Sequence, residues 1–188
     1  REELESYRIA LEERIAETER ATEVLSEFIE GRKQLLPYEI TTKTMPAHHV
    51  ASYSVEVTLQ TIGAAMGEGF GAIMAAVGKE GLAPAGIPYT VYCDIIDAET
   101  AGTVEIRVPV YPSFTGDEAV ASLTVEAAEV ASTIHRGPYP NVGAAYQSLM
   151  QWMEAQGRQP AGPPREIYLN DPNQVAESEL LTEVAWPI

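Results

Sequence analysis

The chain repeats itself, and the repeat limits the folds open to it. Gly81-Leu-Ala-Pro84-Ala-Gly86-Ile-Pro88 aligns with Gly157-Arg-Gln-Pro160-Ala-Gly162-Pro-Pro164, an offset of 76 residues. The same offset brings Tyr92 onto Tyr168 and Asp94 onto Asn170. Two further residues bring Glu105-Ile-Arg-Val-Pro109-Val onto Glu183-Val-Ala-Trp-Pro187-Ile. The matches fall at helix stops, turns and strand ends, where glycine and proline have backbone reasons to persist. The expectation is an α+β fold of duplicated βαββ modules with pseudo-twofold symmetry around a central ligand groove.

Hydrophobic periodicity supplies the elements. Tyr38–Thr44, His49–Val57, Tyr89–Ile96, Thr103–Val110, Leu123–Glu126, Glu129–Arg136, Arg165–Asn170 and Leu180–Ile188 read as strands. Thr58–Lys79 reads as a helix despite Gly63, Gly67, Gly69 and Gly71, whose density suggests close approach to a neighbouring backbone. A second helix runs to Gln156, with Asn141 as its cap and Gly157 as its left-handed stop.

Residues 2–33 differ from the rest. Leu4, Leu11, Thr18 and Leu25 recur every seven positions, with Arg8, Ile15, Thr22 and Ile29 as the companion series. Such a narrow apolar seam wants a partner helix, most simply its copy in a second subunit, although folding back on its own domain is the alternative. The expected division is therefore 1–34, a long coiled-coil dimerisation helix giving a homodimer, and 35–188, a small-molecule binding domain.

Charge and composition narrow the function. The net charge is -16, with eighteen acids against six bases beyond residue 34. Such a surface repels phosphate backbones and favours cations. No apolar run of about 18 residues exists, so no membrane span is expected. The single cysteine, Cys93, rules out an internal disulfide and fits a cytoplasmic protein. Cys93 is expected on a packed face as a small buried hydrophobe. The chain begins at Arg1 rather than methionine, which suggests that it belongs to a longer protein.

Strand alternation nominates the binding residues. Val91, Cys93, Ile95, Ile167 and Leu169 are expected to pack under the helices, along with Ile106, Val108, Val110, Val184, Trp186 and Ile188. Thr90, Tyr92, Glu166 and Tyr168 then face the other way, and Glu105 and Glu183 are placed with them. A carboxylate withdrawn from water either holds its proton or recruits a cation. Aromatic faces add cation–π attraction of roughly 0.5–2 kcal/mol each. The pattern suits a lipophilic cation, unless these faces lie open to solvent and Glu183 is a wet surface acid.

Other candidates carry less. His48 and His49 lack a third ligand at metal-site spacing, so no metal and no cofactor is expected. His135, before Gly137-Pro138-Tyr139, is expected to form structural hydrogen bonds. Trp152 shares helical spacing with Tyr146, Leu149 and Met153 and reads as core or groove edge. Gly67-x-Gly69-x-Gly71 lacks the preceding strand of a dinucleotide site. No nucleophile–base–acid set stands out.

Ala131-Ser-Thr-Ile-His135-Arg-Gly137-Pro138-Tyr139, Trp152, Arg165-Glu166-Ile-Tyr168-Leu-Asn-Asp171-Pro172 and Thr182-Glu183-Val-Ala-Trp186-Pro187 together resemble the GyrI-like effector-binding family. Tyr38-Glu-Ile, Met45-Pro46-Ala and Val50-Ala51-Ser52 extend the resemblance over residues 37–188. The heptad helix running into Leu35-Leu36-Pro37-Tyr38 resembles the dimerisation helix of MerR-type transcription regulators. The resemblance implies a groove for small, often cationic aromatic effectors, with Glu183 as the central counter-charge. Tyr168, Tyr92, Glu105, Glu166, Tyr139, Tyr53 and Trp152 are its expected companions. DNA would be bound only through a domain outside this chain. The alternative is a groove hydrolase of electrophilic small molecules, with Glu183 as base and Tyr168 or Tyr92 as proton donor; a scaffold that binds a protein through the acidic groove is a third.

Overall fold

In the computed structural model, which describes residues 38–188, two very short links set the shape. The strands are β1 (Thr41–Met45), β2 (His48–Val57), β3 (Tyr89–Tyr92), β4 (Gly102–Val110), β5 (Ala121–Val125), β6 (Ala128–Arg136), β7 (Arg165–Tyr168) and β8 (Leu181–Pro187). Helix α1 (Ile62–Lys79) lies between β2 and β3, and α2 (Gly143–Ala155) between β6 and β7. All eight strands form one antiparallel sheet in the order β1-β6-β8-β7-β3-β4-β2-β5. Only Pro46 and Ala47 join β1 to β2, although these strands stand first and seventh across the sheet. In a flat sheet they would be about 29 Å apart at ~4.8 Å per strand. Three residue steps reach only ~11 Å. The sheet must therefore curl until its ends approach, and the equally short β5–β6 link imposes the same condition.

The duplication is present, with an exchange that the repeat does not reveal. The first unit is β1-β2-α1-β3-β4 and the second β5-β6-α2-β7-β8, but each leading strand pairs with the other unit. β1 lies on β6 with Thr41 opposite Ser132, and β5 lies on β2 with Ala121 opposite Ser52. The two registers correspond residue for residue, 80 positions apart. The units join along β3 and β7, where Thr90 faces Glu166. These two residues are 76 positions apart, so the pseudo-twofold axis passes between them. Gly81 and Gly157 close the two helices with positive φ, 70° and 64°, which a residue bearing Cβ adopts only at a cost.

Helix α1 seats Ile73, Ala76 and Val77 against Ala51, Ile106, Val108 and Val110 of β2 and β4. Helix α2 seats Ala145 and Leu149 against Ala131 of β6 and Val184 of β8. The other side of the sheet is also dry, holding Val50, Tyr89, Val91, Val130, Ile167 and Ala185. Both faces of the central strands are thus buried, and Val184 and Ala185 are each fully covered although they point opposite ways.

Several local expectations need correction. Asn141 lies in a 3-10 turn over Tyr139–Asn141 and caps nothing; Val142 precedes α2 without a side-chain cap. Cys93 is exposed. It lies beyond the end of β3, where its amide donates to Thr103 O at 3.0 Å and no helix covers it. Of the glycines in α1, only Gly69 meets a close neighbour. That neighbour is not backbone: a Cβ there would fall 2.4 Å from Ile106 Cδ1 and 2.9 Å from Tyr53 Cδ1. The expected helix over residues 2–33, the coiled coil and the dimer contact lie outside the described residues. Among the described residues no helix is long and apolar enough to cross a membrane.

The glycines of α1 give a stability test. Gly67→Ala, with open space around the new methyl, is expected to stabilise by about 0.5–1 kcal/mol through helix propensity. Gly69→Ala must displace the fully buried Ile106, and the overpacking cost of roughly 1–3 kcal/mol outweighs that gain. Urea unfolding of both variants checks the order; equal midpoints would contradict the packing described.

Candidate functional site

Helix α1 rests chiefly on β2 and β4 and helix α2 on β6 and β8. Each reaches a central strand through a side chain, Met66 to Thr90 of β3 and Tyr146 to Glu166 of β7. The side chains that β3 and β7 turn to the helix side are Thr90, Tyr92, Glu166 and Tyr168, as the facing pairs Thr90–Ile106 and Glu166–Val184 require. These residues lie on the sheet between the strands that α1 and α2 cover, where the duplicated architecture leads us to expect the groove.

Glu166 is the pivot. It is 5% exposed, on the groove floor. Tyr92 Oη donates to its Oε2 at 3.0 Å, and Tyr146 Oη, from α2, donates to its Oε1 at 2.9 Å. Burial pushes the Glu166 carboxyl above the ordinary carboxylate range, and the two phenol bonds pull it part of the way back. The phenols of Tyr92 and Tyr146 are themselves raised, first by burial, then for Tyr92 by the neighbouring Tyr168 and the carboxylate and for Tyr146 by the carboxylate, so they remain neutral donors. Among the described residues no Lys, Arg or His forms an ion pair with Glu166.

The walls are aromatic. Tyr168 Oη donates to Thr90 Oγ1 at 2.9 Å, and its ring meets that of Tyr139 edge-on, centroids 5.8 Å apart. Tyr146 stands edge-on to Trp186 at 6.0 Å. Tyr92, Tyr139, Tyr146 and Tyr168 are each half-buried. Thr182, which faces Tyr168 across the β7–β8 ladder, has a buried hydroxyl with no hydrogen-bond partner among the described residues. An acid beneath a rim of phenols can hold a cation by charge and by ring faces together.

Residues 38–188 match the family described as the GyrI-like small molecule binding domain. The chain belongs to the GyrI-like family. A cryo-EM structure of the EcmrR–DNA complex, in a complex denoted EcmrR-RPo, is similar with a TM-score of 0.73 at 22% identity, over 98% of this chain and 70% of that one. The crystal structure of the EcmrR C-terminal domain is similar at 0.69 and 25% identity, over 80% of this chain and 96% of that one. A hydrolase from Listeria innocua shares the fold at 0.57 and 15% identity, over 79% and 91% of the two chains. No curated protein matches the sequence.

The GyrI-like fold gathers some of the expected residues and separates others. Tyr92, Glu166, Tyr168 and Tyr139 come together. Glu183 and Glu105 do not join them: these two face away from the helices as expected, and it is the facing of β3 and β7 that is inverted, so that the tyrosines turn to the helix side. Glu183 stands opposite Ile167 and Glu105 opposite Val91, so both acids point away from the helices with those two residues. Ile167 and Val91 accordingly do not pack under the helices. Glu183 is 8% exposed and pairs with Lys43. Glu105 takes the Arg107 Nε–H at 3.0 Å and the Ser52 hydroxyl at 3.4 Å. Tyr53 packs beside α1 and donates to Glu68 at 3.4 Å, while Trp152 packs in the α2 cluster. His135 is tied on both ring nitrogens, to Tyr38 Oη at 2.7 Å and Pro138 O at 3.2 Å. Among the described residues no three His, Cys, Asp or Glu side chains gather as a metal site.

Thr90 is grouped with Tyr92 by alternation, but Tyr146, Met66 and Thr182 were not anticipated. Tyr146 shares the α2 stripe of Leu149 and Met153, which reads as core; its position 80 residues after Met66, as β5 and β6 follow β1 and β2, is the signal that pairs it with the groove.

The pKa direction of Glu166 has a consequence for stability. A carboxyl raised on folding leaves the native state holding more protons than the unfolded chain, so its ionisation destabilises as pH rises from the unfolded pKa through the folded one. Glu166→Gln removes that penalty and keeps the shape. Relative to its effect in acid, it is expected to raise stability at neutral pH by an amount on the order of 1 kcal/mol. The gain should vanish in acid, below the unfolded carboxylate pKa. Denaturant unfolding at both pH values checks this; a variant that gains nothing between acid and neutral pH would contradict it.

Proposed function

We propose that this GyrI-like domain is the effector-sensing part of a dimeric, cytoplasmic MerR-type transcription regulator and that its effectors are small lipophilic cations. The observation that carries the reading is Glu166, a desolvated carboxylate bonded to two phenols, with no cationic partner among the described residues. Burying an ion alone costs several kcal/mol in order of magnitude, and a cation that shares the burial returns part of that cost. The half-buried rings of Tyr92, Tyr139, Tyr146 and Tyr168 supply further attraction of roughly 0.5–2 kcal/mol per face. EcmrR, whose DNA complex is similar in fold, supports a place in transcription control. Residues 1–34, with their heptad seam, supply the dimer contact in this proposal, and DNA binding belongs to a domain outside these 188 residues. An effector that prefers one arrangement of the paired domains shifts the dimer toward it, which is the thermodynamic requirement for a switch. The hydrolase reading has a shared fold behind it and nothing in the site that favours it.

Calorimetric titration with tetraphenylphosphonium tests the proposal. The expected affinity is micromolar, about -8 kcal/mol. Glu166→Gln should weaken it tenfold or more, about 1.4 kcal/mol, whereas Glu183→Gln, on the far face, should change it less than about twofold. Equal binding of a neutral tetraphenyl isostere, or turnover of an electrophilic compound that Glu166→Gln abolishes, would contradict the reading. Sedimentation of the whole chain should show a dimer; a monomer at high concentration would remove residues 1–34 from the account.

A further inference from the structure

The two halves of the groove correspond in position but not in chemistry. Thr90 and Glu166 face each other across the pseudo-twofold axis. Tyr92 bonds Glu166, and its counterpart Tyr168 bonds Thr90, at 3.0 and 2.9 Å. Helix α2 adds Tyr146 to Glu166, at 2.9 Å; helix α1 adds Met66 in the corresponding place, its sulfur accepting from the Thr90 hydroxyl at 3.4 Å. One half therefore holds a carboxylate and a phenol, the other a hydroxyl and a thioether. Gly69, one turn along α1 from Met66, keeps that helix against Ile106 and Tyr53.

We propose that the groove is polar along its length and selects monocations with one charged head and one apolar body, bound in a single orientation. This rests on the cation-binding reading above and adds the charge count and direction of the ligand. The head lies over Glu166, Tyr92 and Tyr146, and the body over Met66, Thr90 and Tyr168. A thioether is soft and polarisable and suits an apolar or aromatic body. A second cationic group at the far end would be desolvated over Met66 and Thr90 with no anion to pair with. A second acid in place of Thr90 is also disfavoured. Residues directly opposite in an antiparallel ladder have Cβ atoms about 5 Å apart, and two carboxylates that close do not both ionise readily.

The test compares two ligands on the whole chain. One is a tetramethylene chain with trimethylammonium at both ends, short enough for both charges to lie over neighbouring floor residues; the other carries tert-butyl, the neutral isostere, at one end. The wild-type protein is expected to bind the monocation at least tenfold more tightly than the dication. Met66→Glu, at a half-buried helical position, should narrow that gap to within about twofold or reverse it, while Met66→Leu preserves it. Equal wild-type affinity for the two ligands overturns the proposal, as does an unchanged gap in a folded Met66→Glu protein. Should that variant fail to fold, the wild-type comparison decides alone. Failure of the monocation to bind, or indifference of its binding to Glu166→Gln, would instead bring down the cation reading itself; intact monocation binding with no discrimination against the dication overturns only this inference.

Discussion

A carboxylate out of water must be satisfied by something, and in this protein the satisfaction of Glu166 organises the centre of the fold. Two phenols hold its oxygens, one from β3 in the first copy and one from α2 in the second. The Tyr92 bond reaches across the seam between the copies, so the acid reports on how the halves are seated. It is also where charge has most effect, since an ion in a dry, aromatic-walled groove interacts more strongly than one on a wet surface. The rest of the domain carries a large negative charge dispersed over its exterior, which draws cations near without choosing among them.

The duplicated architecture explains why such a site forms where it does. Exchanged leading strands and two-residue links curl the sheet and lock each unit to the other. The helices then sit chiefly on the strands that flank β3 and β7, and Thr90 and Glu166 meet at the axis between them. Two copies of one unit place like positions face to face at the axis, so a single substitution there, acid in one copy and hydroxyl in the other, makes a symmetric groove chemically directional.

Much of this is legible in the sequence, and the failures share a cause. The repeat is visible because its glycines and prolines sit where the backbone demands them, as the positive φ of Gly81 and Gly157 shows. The strand exchange is not visible, because it depends on pairings between residues some 90 positions apart, such as Thr41 with Ser132. Alternation correctly groups Thr90 and Tyr92, and Glu166 and Tyr168. It cannot say which set on one strand meets which set on the next, since that follows from register. In most half-buried sheets the apolar set marks the packed face. Here both faces are packed, so the apolar Val91 and Ile167 turn β3 and β7 the wrong way; Glu105 and Glu183 are set on the correct side of β4 and β8, and the tyrosines are wrongly joined to them. Tyr146 stayed hidden because a tyrosine in an apolar helical stripe looks like core until its hydroxyl partner is known.

The account depends on Glu166 being a buried acid that waits for a positive charge. Carbon-13 NMR titration of glutamate carboxyls, with Glu166→Gln to assign the resonance, measures this directly. The predicted result is a Glu166 pKa above the ordinary carboxylate range in the free protein, falling when a lipophilic cation is added. An ordinary pKa that the cation leaves unmoved would contradict the account.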